Sequence, residues 1–163
     1  MFDQKYIAAV IQLDTNTNYE QNMKAAADFI AEAHARGAKL VTLPENWTYQ
    51  GDDYLDYAEE MPGGRLATML SELSSKYGMW IHSGSSSEKN PEPNAHRPNN
   101  TSMLFNPKGE LVAKYSKVHM FDVDIVGGGS FRESEHKCPG KEIVVYDTKE
   151  IGKLGLAICY DLR

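Results

Sequence analysis

Three short apolar runs separated by two amphipathic stripes constrain this chain more than any other feature. Tyr6–Leu13 is a nearly unbroken apolar run, the pattern of a strand covered on both faces. Asn18 can cap a following helix, and Gln21, three residues on, completes a capping box. Met23, Ala26, Ala27, Ile30, Ala33 and His34 then form one helical stripe opposite Lys24, Asp28, Glu32 and Arg36, and Gly37 ends it. Leu40–Leu43 reads as a second strand stopped by Pro44. A second helix follows Pro62-Gly63-Gly64, with Leu66, Met69, Leu70, Leu73 and Tyr77 inward. Gly78 closes that helix before a third strand at Met79–Ser83. The order β-α-β-α-β predicts helices packed on one face of a sheet.

The second half is strand-rich. Ser85 to Asn100 is polar and broken by prolines, so it reads as a surface loop. Thr101–Phe105 and Leu111–Tyr115 flank Asn106-Pro107-Lys108-Gly109, which has type I turn preferences. Ile143–Tyr146 and Lys153–Ile158 suit a further hairpin around Asp147–Gly152. Gly127 to Gly140 reads as a long irregular stretch, and stretches of that length are often functional.

Charge excludes some partners. The 17 Lys+Arg against 23 Asp+Glu leave a net charge of −6 with no basic cluster, which disfavours nucleic acid and anionic membrane. No apolar run reaches the ~18 residues of a membrane span. Cys138 and Cys159 come without an export signal or a disulfide framework, so reduced thiols in a cytoplasmic protein are expected. Neither C-x-x-C nor H-x-x-x-H occurs, and no metal or other cofactor is expected.

Three reactive side chains sit just past apolar runs: Glu45 after Leu43-Pro44, Lys117 just after a strand reading Leu-Val-Ala-Lys-Tyr, and Cys159 after Gly155-Leu156-Ala157-Ile158. A thiol nucleophile needs a base to take its proton, and the oxyanion it creates needs a positive partner. Each residue also has an ordinary reading, as a core cysteine, a solvated lysine and a surface acid. Their common place at strand ends, where α/β proteins gather their sites, favours the chemical one. A sharp turn after the strand would expose the Cys159 sulfur and aim the next backbone N–H at the reacting atom. A Cys-His pair through His119 or His136 stays open on spacing alone, whereas His34, His82 and His96 read as structural or solvated.

Four ordered motifs carry a family likeness: Leu43-Pro44-Glu45-Asn46, Tyr115–Asp122, Ser130-Phe131-Arg132-Glu133-Ser134 and Gly155–Arg163. Over essentially its whole length the chain resembles the nitrilase, or carbon–nitrogen hydrolase, superfamily. The Lys-x-His-x-Phe-Asp and Phe-x-Glu-Ser forms are most similar to the omega-amidase and deaminated-glutathione amidase branch. The resemblance implies an α/β fold, the N-terminal half of an α-β-β-α sandwich built on a mixed sheet with helices on one face. It implies Cys159 as nucleophile, Glu45 as general base and then acid, and Lys117 with the Tyr160 backbone N–H as oxyanion partners. Glu133 would hold Lys117 and help position substrate.

The implied activity is ammonia release from small linear carboxamides through a cysteine acyl-thioester. The reaction partners are then a carboxamide and water, and the full domain would form a homodimer or larger assembly. Carbamoyl-amide and nitrile hydrolysis are the alternatives within the superfamily, and a non-catalytic assembly piece is the alternative outside it. Residues 1–163 form a single domain on this reading, and the sequence stops four residues after the cysteine, where a second sandwich half is expected. A 163-residue piece alone is expected to fold poorly and to be nearly inactive.

Overall fold

The computed structural model describes residues 5–90, 92 and 96–162. Strand β1 (Ile7–Val10) runs parallel to β2 (Ala38–Thr42), and β2 parallel to β3 (Trp80–His82). Helix α1 (Tyr19–Ala35) connects the first pair and α2 (Arg65–Tyr77) the second. The predicted cap is present but the predicted box is not: Asn18 accepts a hydrogen bond from the Gln21 backbone N–H at 3.1 Å, while its own N–H donates to Asn16 Oδ1 at 2.7 Å rather than to the Gln21 side chain. Gly78 ends α2 in the left-handed conformation, φ 61°.

Strand β5 (Asn99–Phe105) organises the rest of the main sheet. Along one edge it pairs antiparallel with β3 and then with β4 (Ser86–Glu88); along the other it pairs with β6 (Leu111–Ser116). The two strands on the shared edge are separated by a break at Gly84. A Cβ there would lie 2.0 Å from the Pro44 carbonyl oxygen, so only glycine lets the two backbones approach. The expected loop at 85–100 is therefore partly sheet, with Ser86, Ser87 and Glu88 buried. Its polar sequence concealed this because those side chains meet polar partners: buried Thr48 for Ser86, buried Lys137 for Ser87, and buried Thr101 with the more exposed Lys114 for Glu88. Positions 91 and 93–95 of that segment, like Arg163 of the last motif, lie outside the described residues.

Both helices lie on one face of the sheet and enclose the core. Ile30, Val41, Leu70, Ile81 and Met103 have no accessible surface, each worth about 1.5–3 kcal/mol of burial. Strand β1 is covered on this face alone rather than on both, and Val10 is 83% exposed on the other.

The expected long irregular stretch contains β7 (Asp122–Asp124) and β8 (Ser130–Arg132), an antiparallel hairpin, followed by a single 3-10 turn at Glu133–Glu135. Residues alternate across Asp-Val-Asp and Ser-Phe-Arg around the three glycines, a hairpin signal too short to outweigh the glycines. The predicted last hairpin is present as β9 (Val145–Asp147) and β10 (Lys153–Gly155). Beyond β10, Leu156 and Ile158 pack against Tyr115 of β6 in a small second cluster.

Candidate active site

Pro44 ends the run of β2 and turns the chain outward. Asn46, at φ 49°, completes the turn, while Trp47 Nε1–H donates to the Ser83 carbonyl at 2.7 Å and locks it. These contacts hold Glu45 at the sheet edge. Asn100 Nδ2 donates to Glu45 Oε1 at 2.8 Å, and Asn100 itself is wholly buried on β5.

Lys117 follows β6, and its backbone N–H donates to the Asn100 carbonyl at 2.9 Å. Its ammonium is buried between two carboxylates, 3.0 Å from Glu45 Oε1 and 3.0 Å from Glu133 Oε2. Burial would lower the Lys117 pKa, but hydrogen bonds to Glu133 and Glu45 outweigh it and hold the ammonium above its ordinary range. Glu133 sits in the 3-10 turn after β8, and its Oε2 also accepts the Phe121 backbone N–H at 2.7 Å. Gly140 closes over the same junction. Its N–H donates to the Lys117 carbonyl at 2.7 Å, and a Cβ would lie 2.1 Å from the Ser116 carbonyl oxygen.

Cys159 opens a 3-10 turn at Cys159–Asp161 with φ 48°, the left-handed region that a side chain rarely adopts. The predicted sharp exit from the strand is therefore present and strained. Burial and the neighbouring Glu45 carboxylate push the Cys159 thiol up, and Lys117 only partly offsets them. The resting side chain is thus a thiol beside a carboxylate. Tyr160 comes next in the turn, its ring edge-to-face with Phe121 at 5.1 Å between centroids.

Asp161 was not singled out from the sequence, yet it is the hub of the turn. Its Oδ2 accepts from the Tyr115 hydroxyl at 2.5 Å and the Ile158 N–H at 2.9 Å. Its Oδ1 accepts from the His119 backbone N–H at 2.9 Å and from His119 Nδ1 at 3.0 Å. Burial would raise the Asp161 carboxyl, but these bonds outweigh it and keep the group below its ordinary value. His119 is thereby committed to Asp161, and the group that meets the thiol is Glu45. His136 bonds instead to the Tyr54 hydroxyl at 3.2 Å. His82 is held between Thr42 and Ser102 hydroxyls, each at 2.7 Å.

Glu45, Lys117, Glu133 and Cys159 line one cavity of about 610 Å³, with Phe121 and Phe131 as apolar walls. Lys137 and Asn100, the one in the cavity wall and the other on Glu45, were also not picked out from sequence. Among the described residues no cluster of His, Cys, Asp and Glu could hold a metal ion. No helix of the described residues is long and apolar enough to cross a membrane.

Comparison with known proteins agrees with this architecture. The Homo sapiens omega-amidase NIT2 is 39% identical over 157 residues, covering 95% of this chain and 55% of that protein. The chloroplastic omega-amidase of Arabidopsis thaliana is 39% identical over 165 residues, covering 98% of this chain and 43% of that one. The chain thus spans about half the length of the curated relatives it matches. Among solved structures, the C. elegans NitFhit protein superposes with a TM-score of 0.84 at 32% identity, over 96% of this chain and 38% of that one. Saccharomyces cerevisiae Nit3, a member of branch 10 of the nitrilase superfamily, gives 0.78 at 31%, over 93% of this chain and 55% of its own. The carbon-nitrogen hydrolase family model matches residues 7–163. The chain belongs to the carbon-nitrogen hydrolase family.

Proposed function

We propose that this chain carries the reacting groups of an amidase that releases ammonia from small linear carboxamides. The observation that carries the reading is the carboxylate of Glu45, which accepts from the Lys117 ammonium and lines the same cavity as Cys159. Glu45 takes the thiol proton as Cys159 Sγ attacks the amide carbon. The oxyanion that forms meets Lys117 and the backbone N–H of Tyr160. Glu45 returns the proton to the departing nitrogen, and ammonia leaves an acyl-thioester on Cys159. Water then gives a proton to Glu45 while its oxygen adds to the acyl carbon. Expulsion of the sulfur, reprotonated from Glu45, frees the carboxylic acid.

Glu133 keeps Lys117 charged and fixed between the two acids. No cofactor enters this cycle. Both cysteines are unpaired, in keeping with a reducing compartment such as the cytoplasm, and assembly of two or more copies belongs to the same reading.

The test is a carboxamide panel assayed for ammonia on the full-length protein its gene encodes. Cys159→Ala and Glu45→Gln should each lower turnover by roughly a thousandfold or more. Mass spectrometry of a quenched reaction should find the acyl group on Cys159. Ammonia release that survives Cys159→Ala overturns the reading.

A further inference from the structure

Asn100 touches both members of the Glu45–Lys117 pair. Its Nδ2 donates to Glu45 Oε1 at 2.8 Å, and its backbone carbonyl accepts the Lys117 N–H at 2.9 Å. The residue has no accessible surface and lies on β5, with β4 pairing along one edge of that strand and β6 along the other. A backbone held from both sides cannot follow a carboxylate that moves, so Glu45 must settle where the amide is.

The amide is held at a cost. Its Oδ1 is the one buried side-chain oxygen or nitrogen among the described residues without a hydrogen-bond partner. An unmet acceptor of this kind is unfavourable, and native interiors keep few of them. Leucine is similar in shape and would bring no polar atom, so packing does not explain an asparagine here. What leucine lacks is a donor. Turned over, the amide would set Oδ1 against Glu45 Oε1, oxygen against oxygen, so the bond to the carboxylate fixes which way the amide faces.

The Lys117 ammonium reaches the same oxygen, at 3.0 Å. Oε1 therefore meets two groups that can only donate. A proton arriving on Glu45 has no place at Oε1 and goes to Oε2. A single contact would let the carboxylate swing about it, and the second donor stops the swing.

We infer that Asn100 is a positioning residue for Glu45: it commits Oε1 to accepting and leaves Oε2 to take the Cys159 proton and return it. This rests on the amidase reading. In the first step the S–H bond of Cys159 breaks and its proton passes to Oε2, while Sγ bonds the amide carbon and the carbonyl electron pair moves to oxygen. The same proton leaves Oε2 for the nitrogen as the C–N bond breaks. A competing account makes Asn100 a spacer between strands, in which case its loss would lower stability and leave turnover alone.

The experiment uses Asn100→Leu in the full-length protein, with every amide of the carboxamide panel that the wild type turns over. The backbone bond to Lys117 is kept, and the donor is lost together with the unmet acceptor. The urea midpoint should stay near that of the wild type. In contrast, kcat should fall roughly tenfold or more with KM within about twofold, because a base misplaced by about 1 Å slows the step without weakening binding. In a Glu45→Gln background the same substitution should change kcat by less than about twofold, since its effect runs through that carboxylate. An unchanged kcat in Asn100→Leu overturns the assignment, as does a loss equally large in the Glu45→Gln background. Where Asn100→Leu does not fold, Asn100→Ser, whose hydroxyl is too short to reach Glu45, is read in the same way. A wild type that hydrolyses no amide, or ammonia release that survives Cys159→Ala, overturns the amidase reading and the assignment with it.

Discussion

Replacing Asp161 by Asn removes one acceptor oxygen from a carboxylate on which four donors converge. If the new amide nitrogen takes the Oδ2 position, it faces the Ile158 N–H; if it takes Oδ1, it faces the His119 N–H. The Tyr115 hydroxyl can turn and accept, but a backbone N–H cannot. One N–H is left unpaired either way, at about 1–3 kcal/mol. The remaining bonds also lose the strength that an ionised acceptor gives them. Together these effects predict a loss of about 2–4 kcal/mol.

The Cys159 backbone at φ 48° stores roughly 1–3 kcal/mol. The hub and the strain are of similar size, so weakening the hub lets the turn relax and the sulfur leave Glu45. Urea melts of the full-length wild type and Asp161→Asn at pH 7 measure the stability, and kcat the placement of the sulfur. The carboxyl is held below its ordinary 3.8, so its contribution is complete above that pH and lost as pH falls through the folded-state value. The gap between the proteins should therefore narrow below about pH 3.8. A difference under about 0.5 kcal/mol at pH 7, within the range of ordinary surface substitutions, refutes the hub.

Three further outcomes are expected. Lys117→Met leaves Glu45 and Glu133 facing each other in a buried site and should cost about 3–5 kcal/mol in a melt, with partial recovery when Glu133→Gln is added. Burial and Glu45 hold the Cys159 thiol up, so Glu45→Gln should speed iodoacetamide alkylation at pH 8 even as it abolishes turnover; unchanged or slower alkylation counts against that electrostatic account. Burial lowers the His82 pKa to about 4 from an ordinary 6.5, so between those values the unfolded chain binds more protons and stability rises with pH. Acid melts should show that slope reduced in His82→Gln, and an equal slope would mean His82 does not titrate as its burial requires.

The helical stripes, Asn18 cap and Gly78 stop were legible because each depends on residues within one or two turns of one another. Glu45, Lys117 and Cys159 were legible for a related reason: each follows a strand that ends, and strand ends in a layered fold converge. Local polarity misled the reading at Ser86–Glu88, since burial there depends on partners up to fifty residues away. The hairpin around Gly127-Gly128-Gly129 was hidden because three glycines outweigh three alternating residues on each side.

The sequence by itself determined which chemistries the chain carries and the order in which its strands and helices deliver them. Only the tertiary structure decided their pairing. Glu45 rather than a histidine meets the thiol because His119 is already bound to Asp161, 42 positions on. Lys117 stays charged because the turn after β2 and the turn after β8 bring two carboxylates, Glu45 and Glu133, within 3.0 Å of it. The ammonium of Lys137 differs from that of Lys117 only in its surroundings: one is buried between two anions, the other beside a hydroxyl and a ring. Proximity in space sets the charge state of a buried group, and sequence distance carries no record of it.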